Sequence, residues 1–278
     1  MEPFHTNNGT LFMIEQWMER FPGLVAGFSS KNGGVSKPPF MSLNTGYHVG
    51  DDPNDVKRNR EIIASMIGFP LDAWVGAEQT HGANIVNASR FHMGKGAGEY
   101  STSVKDTDGF YTNEPGLLLT LCFADCVPVY FLAPETGKIG IAHAGWKGTV
   151  EGIGPQMVKG WKAEGIPLSK IYAVIGPSIC EKCYIVDDYV LSFVKKRLEH
   201  VEKKPYNQIS EGQYSLDLKE MNRLLLIECG IPGENIEISN YCSSCESETF
   251  YSHRRDRGKT GRMMGFIGWR KGAERGSN

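Results

Sequence analysis

The run GLLLTLCFADCVPVYFLA (residues 116–133), followed by PETG (134–137) and KIGIAHA (138–144), decides the fold class. The first part is apolar enough to raise a membrane span. Asp125 in its middle would cost about 2.5–3.5 kcal/mol there, and Pro128 and the turn-forming PETG suit strands better. Two buried strands meeting near Asp125 and Cys126 are therefore expected, and a third strand that delivers His143 to its end.

Outward from this centre, AWVGAEQTHG (73–82) and ANIVNA (83–88) read as strands paired around Gly82. Thr149 and Glu151 begin a helical pattern that runs through Trp161, and KIYAVIGP is a short strand. DDYVLSFVKKRLE and SLDLKEMNRLLLIECG read as helices, the second opening on an Asp217/Glu220 capping box and stopping at Gly230. NIEISNY and RMMGFIGW close the chain as strands. No repeat or Pro/Gly linker divides it, so residues 1–270 are expected to form one α/β (α+β) domain, a mixed β-sheet packed by helices. Residues 271–278 read as a disordered tail.

The chain has 278 residues, 30 basic and 32 acidic, with a formal charge of −2. Nothing global attracts nucleic acid or a membrane. The N-terminus, MEPFHTNNGT, lacks a charged start followed by an apolar core, so a cytoplasmic location is expected. Without a signal peptide, the seven cysteines read as reduced thiols, not as a disulfide framework.

His81 in AEQTHG, Cys126 in FADCVPV and His143 in IAHAGWKG each border an apolar segment and are flanked by small or turn-forming residues. Two imidazoles and one thiolate make three-quarters of a tetrahedral zinc shell. Structural zinc sites are usually closed by four side chains, whereas catalytic ones leave a position for water or substrate. The plain alternative is a buried thiol and two hydrogen-bonded histidines.

Other candidates surround these three. DDPNDVKRNREIIASMIG reads as a helix with Asp52 as N-cap, Pro53 in the first turn and Gly68 as the stop. Its inward stripe is Val56, Arg60, Ile63 and Ile67, so Arg60 needs an anionic partner: a core carboxylate or a substrate phosphate. Gly145-Trp146-Lys147-Gly148 offers backbone N–H groups and a lysine to an anion, without the spacing of a P-loop. Asp125 is the carboxylate nearest Cys126 and a candidate general acid/base, or a support for the ligands. Asn44 either orients substrate or caps backbone. Gln79 shares strand parity with His81 and is expected to line the pocket.

Cys180/Cys183 and Cys242/Cys245 have the C-x-x-C spacing of half zinc sites. A helix-rich stretch of about sixty residues separates the pairs, against the ~15–20 of a compact zinc module, which argues against their sharing an ion. The basic run from His253 to Arg262 reads as a solvated turn or one that contacts substrate.

The runs FSSKNGGVS, SLNTGYHVGDD, VKRNRE, QTHG, TDGFYT, ADCVPV, HAGWKGT, GPSICEKCY and FYSHRRD…TGR, in this order over residues 25–270, resemble the YfiH/YlmD family of laccase-domain proteins. The resemblance implies a single α/β domain, a zinc ion held by His81, Cys126 and His143, and purine-nucleoside chemistry. Its members are described as phosphorolysing adenosine, inosine, guanosine and methylthioadenosine, and as deaminating adenosine. The substrates implied are purine nucleosides and phosphate. Where members often read CYEV, this chain has CYIV (183–186), and HAGWRG becomes HAGWKG, so Lys147 supplies a point charge where arginine could bind bidentately.

Two other classes compete. An older assignment in the same family is a copper-dependent polyphenol oxidase, and Cys plus two His is also the blue-copper ligand set; a multicopper centre, however, needs further histidines, and the chain has seven with no H-x-H pair. A zinc-stabilised RNA-binding module would use the basic run instead.

Overall fold

The three strands at the centre of the sequence form, but they do not share one sheet. In the computed structural model, which describes residues 1–272, the chain crosses from one sheet to another at Ala124-Asp125-Cys126. Most of the tail expected at 271–278 lies outside the described residues.

The first sheet has five strands in the order β1 (Leu11–Met13), β2 (Leu24–Ser29), β14 (Met263–Trp269), β6 (Leu118–Phe123) and β3 (Trp74–Gly76), with only β3 and β6 parallel. The second has six: β13 (Ile236–Ile238), β9 (Tyr172–Ile175), β7 (Val127–Ala133), β8 (Lys138–Ala144), β5 (Gly109–Thr112) and β4 (Ile85–Asn87). Its edge pairs are parallel and its centre is antiparallel. A small antiparallel sheet of β10 (Ile185–Asp187), β12 (Gln213–Leu216) and β11 (Tyr206–Ser210) lies outside both.

Strand alternation sorts the side chains into layers. Leu119, Leu121 and Phe123 of β6 meet Tyr130, Leu132, Ile139 and Ile141 of the six-stranded sheet in a core between the sheets. Leu118 and Cys122 point the other way, toward Ile63 and Ile67 of α2 (Pro53–Ile67). Val127, Val129 and Phe131 of β7 face a third core with Met157, Trp161, Leu191, Leu225 and Leu226. These come from α4 (Ile153–Ala163), α5 (Asp188–Arg197) and α6 (Leu218–Glu228). Both faces of the central strands are buried, which is why they read as unbroken apolar runs.

The helices follow their capping signals. Asp52 accepts from the Asn54 N–H and Gly68 ends α2 in the left-handed region; Asp217 caps α6 by accepting from Glu220 N–H. Helix formation after β8 starts earlier than its pattern suggested: α3 (Trp146–Glu151) begins directly after Gly145 and breaks at Gly152 before α4. One strand pairing is corrected. The segments on either side of Gly82 do not pair, because β3 adds to β6 in one sheet and β4 to β5 in the other. Residues 77–84 therefore span the gap between the sheets. Among the described residues no helix is long and apolar enough to cross a membrane.

Candidate active site

Three connections meet at this gap. The turn after β6 carries Cys126, β8 ends near His143, and the loop between β3 and β4 carries His81. One ligand atom from each lies within 4.8 Å of the others. His143 is buried with its ring against Phe123 at 5.4 Å, Cys126 is half-buried, and His81 is exposed. The group is thus closed on the protein side and open toward solvent. His81 and Asp125 hold positive φ, 62° and 84°, a strained backbone that tends to persist at functional sites.

Asp108, not singled out in the sequence, organises this group. It sits just before β5 and accepts from the backbone N–H groups of Thr80, His81 and Gly82, and from the Thr80 hydroxyl. His143 Nδ1 lies 2.8 Å from its Oδ1. A carboxylate this well supplied with donors is the acceptor, so Nδ1 carries the proton and Nε2 is left to bind a metal. Burial pulls the Asp108 carboxyl up, but the His143 bond and the amides outweigh it and hold it down. Burial likewise pushes the Cys126 thiol up, and the His143 and His81 imidazoles more than reverse this, to about 6. His143 is raised despite its burial, by the Cys126 thiolate and Asp108. The thiolate needed for metal ligation is therefore favoured by the fold itself.

The glycines of HAGWKG serve close approach. A Cβ on Gly145 would stand 3.0 Å from Cys126 Sγ and 3.5 Å from the His81 ring, and one on Gly148 would stand 2.6 Å from the Gly82 carbonyl. Six-residue α3 is too short to make its N-terminus an anion site on its own. Lys147 nonetheless lines a cleft of about 330 Å³ with Thr80, His81, Asp125, Cys126, Trp146 and Tyr184. A neighbouring cleft of about 640 Å³, lined by Tyr189, Phe193, Lys196 and Arg197, shares Trp146 and Lys147 with it.

Asp125 is not on a strand, so strand alternation does not turn it away from Cys126; both line the cleft. Its Oδ1 accepts from the Ser243 hydroxyl and its Oδ2 from the Arg254 N–H, each at 2.6 Å. Arg254 places its guanidinium 4.9 Å from the centre of the ring of Tyr184, a cleft residue, and donates to the Ile185 carbonyl. It belongs to the basic run expected to be solvated or to contact substrate, and nothing within that run sets it apart.

Three other candidates belong to the framework. Arg60 lies on the inward stripe of α2 as expected, but it pairs with no core carboxylate: it donates to the carbonyls of Thr45, Gly96 and Ala97 and lies over the Tyr47 ring. It reaches Cys122, on the face of β6 turned away from Phe123 and His143. The Asn44 amide is fully engaged, donating to Gly46 O and Asp51 and accepting from Gly46 N and Arg262 N. Gln79 lies in a loop, and its amide bonds both the N–H and the carbonyl of Cys122, extending the β3–β6 ladder with a side chain. In the basic run, Arg255 is tied to Asp256 and to the carbonyls of Ser243, Ser244 and Phe250.

The two C-x-x-C pairs do come together, against the expectation from their separation. The sulfurs of Cys180, Cys183, Cys242 and Cys245 all lie within 4.8 Å of one another.

The family model described as multi-copper polyphenol oxidoreductase laccase matches residues 25–270. Purine nucleoside phosphorylase YlmD of Bacillus subtilis is 50% identical over 273 residues, covering 97% of this chain and 98% of that protein. Purine nucleoside phosphorylase YlmD of Geobacillus stearothermophilus is 52% identical over 252 residues, 90% of this chain and 92% of that one. The crystal structure of YlmD from Geobacillus stearothermophilus superposes with a TM-score of 0.94 at 48% identity, covering 98% of this chain and 100% of the other.

Proposed function

Because the chain belongs to the YfiH/YlmD family of laccase-domain proteins, we propose that it is a zinc-dependent purine nucleoside phosphorylase acting in the cleft of His81, Cys126 and His143. The observation that carries this reading is the convergence of those three side chains, with His81 and Cys126 on the wall of a cleft and His143 buried behind them against Asp108. The donor set fits zinc: one thiolate, two imidazoles, one of them with its Nδ1–H held by a carboxylate so that Nε2 is free to ligate, and an exposed side. Zinc held by these three residues would supply Lewis acidity and would lower the pKa of a bound water toward neutrality.

The chain's own residues have the remaining tasks. Phosphorolysis needs phosphate positioned against the ribose C1′ and hydrogen bonding or protonation of the departing base. Lys147 on the cleft wall and Arg254, over the Tyr184 ring, are the phosphate holders in this reading; Arg60, engaged by three backbone carbonyls, is not. Asp125 keeps a second lone pair on each oxygen and can accept a ribose hydroxyl or exchange a proton with the base. Trp146 and Tyr184 offer flat apolar faces to a purine. Deamination of adenosine, with water in place of phosphate, is a second reaction proposed for the same cleft.

The Cys and two His donors would also suit copper. Among the described residues no further histidine joins the group, so an oxygen-reducing copper centre has no second set of ligands here. The deciding experiment incubates metal-analysed protein with adenosine, with and without inorganic phosphate. Adenine and ribose 1-phosphate that rise and saturate with phosphate support phosphorolysis, and inosine reports deamination. Equal adenine release without phosphate would mean hydrolysis and would refute the phosphorylase reading.

A further inference from the structure

The four-cysteine cluster lies where two equivalent loops leave neighbouring strands. β9 and β13 are parallel and adjacent, with Ile175 opposite Ile238. Cys180 and Cys183 follow β9, and Cys242 and Cys245 follow β13, so both C-x-x-C turns emerge from the same end of the sheet. A bridge between Ser178 and Cys242 continues the strand pairing into the loops. The intervening residues, including α5 and α6, loop out and return. Sequence separation is therefore no measure of distance here.

The geometry inside the cluster is that of ligands. Cys183 Sγ lies 3.4 Å and Cys180 Sγ 3.9 Å from Cys245 Sγ; at Zn–S of about 2.3 Å a tetrahedral edge is about 3.8 Å. All four are free thiols. The N–H groups of Cys180 and Cys245 point at Cys242 Sγ, at 3.3 and 3.4 Å, a placement that stabilises thiolate charge. The buried ammonium of Lys219 is fixed by the carbonyls of Ser239 and Tyr241, on the approach to Cys242. Its positive charge offsets part of the negative charge that four thiolates would gather.

We propose that Cys180, Cys183, Cys242 and Cys245 hold a structural zinc ion that staples these two loops into one wall of the catalytic cleft. Four sulfur ligands close the coordination shell, which is the mark of a structural site. The wall itself carries functional contacts. Ile179 and Tyr184, flanking the first pair, line the cleft. Ser243, inside the second pair, donates to Asp125, and its N–H bonds Ser178 O across the two loops. The ion would thus set the position of Asp125 without touching substrate.

The test compares the zinc content of the full-length protein with that of Cys126→Ala and of the double variant Cys183→Ser/Cys245→Ser. The proposal expects each variant to lose one zinc and keep the other. Hydrogen exchange at the Ser243 and Arg254 amides should quicken in the double variant only. Wild-type zinc that disappears entirely with Cys126→Ala would overturn the proposal, as would a disulfide within the four found by mass spectrometry of the unreduced protein. Should the double variant fail to fold, cobalt loading of Cys126→Ala decides: strong tetrathiolate cobalt absorption supports the site, and its absence refutes it.

Discussion

Two groups of soft ligands stand at the ends of the central strands, and they differ in every respect that matters for chemistry. His81, Cys126 and His143 come from two connections that cross between the sheets and the end of one strand, mix nitrogen with sulfur, grade from buried to exposed, and lean on a carboxylate. Cys180, Cys183, Cys242 and Cys245 come from matching loops after adjacent parallel strands and are all sulfur. A mixed set with an open side suits reaction, and a complete sulfur set suits structure. The wall between them, running through Ser243 and Asp125, joins the two groups.

The contrast can be broken by removing the support of one group at a time. Asp108→Asn should have the largest effect, because it takes the carboxylate from His143 while keeping the size of the side chain. Zinc affinity at the open site and kcat/KM for adenosine should each fall about 10–100-fold, measured by chelator competition and by adenine release. Unchanged values would mean that the histidine needs no support. Lys147→Met should raise the KM for phosphate by about tenfold or more, the worth of a charged hydrogen bond, with zinc content intact. Arg60→Met should leave the phosphate KM alone and instead lower the melting temperature, since orphaning buried carbonyls costs about 1–3 kcal/mol. A higher phosphate KM in that folded variant would return Arg60 to the substrate site.

The smallest effect is spectroscopic. In metal-free protein the Cys126 thiol is held at about 6, below the ~8.5 of an ordinary cysteine. Between these values the unfolded chain binds a proton that the folded one does not. Stability from this group is therefore present above the unfolded value and lost as pH falls through about 6. The thiolate absorbance difference between wild type and Cys126→Ser should titrate near 6; a midpoint near 8.5 would show that the histidines do not act on this thiol.

What could be read from the sequence was local. The runs around Asp125 and the capped helix at 53–67 were legible because burial on two faces and capping leave marks within a few residues. So were His81, Cys126 and His143 as metal-type side chains at strand borders. The pairing of strands was not legible: β3 and β4 are neighbours in sequence yet belong to different sheets. Asp108 was missed because its role is defined by amides from residues 80–82 and a histidine on another strand. The partners of Arg60, Asn44 and Gln79 were not legible for a related reason. Most of these are backbone groups, which every residue carries and no sequence pattern reveals. The cysteine pairs were set aside on spacing alone, although parallel strands make remote loops adjacent.

In this reading chemistry resides in the open group and structure in the closed one. Cys126→Ala tests it most directly, with adenine release from adenosine and phosphate measured beside zinc content and melting temperature. Phosphorolysis should vanish with one zinc, while the second zinc and the melting transition of the loaded protein stay close to wild type. Adenine release near the wild-type rate in a variant that has lost the zinc at Cys126 would contradict it.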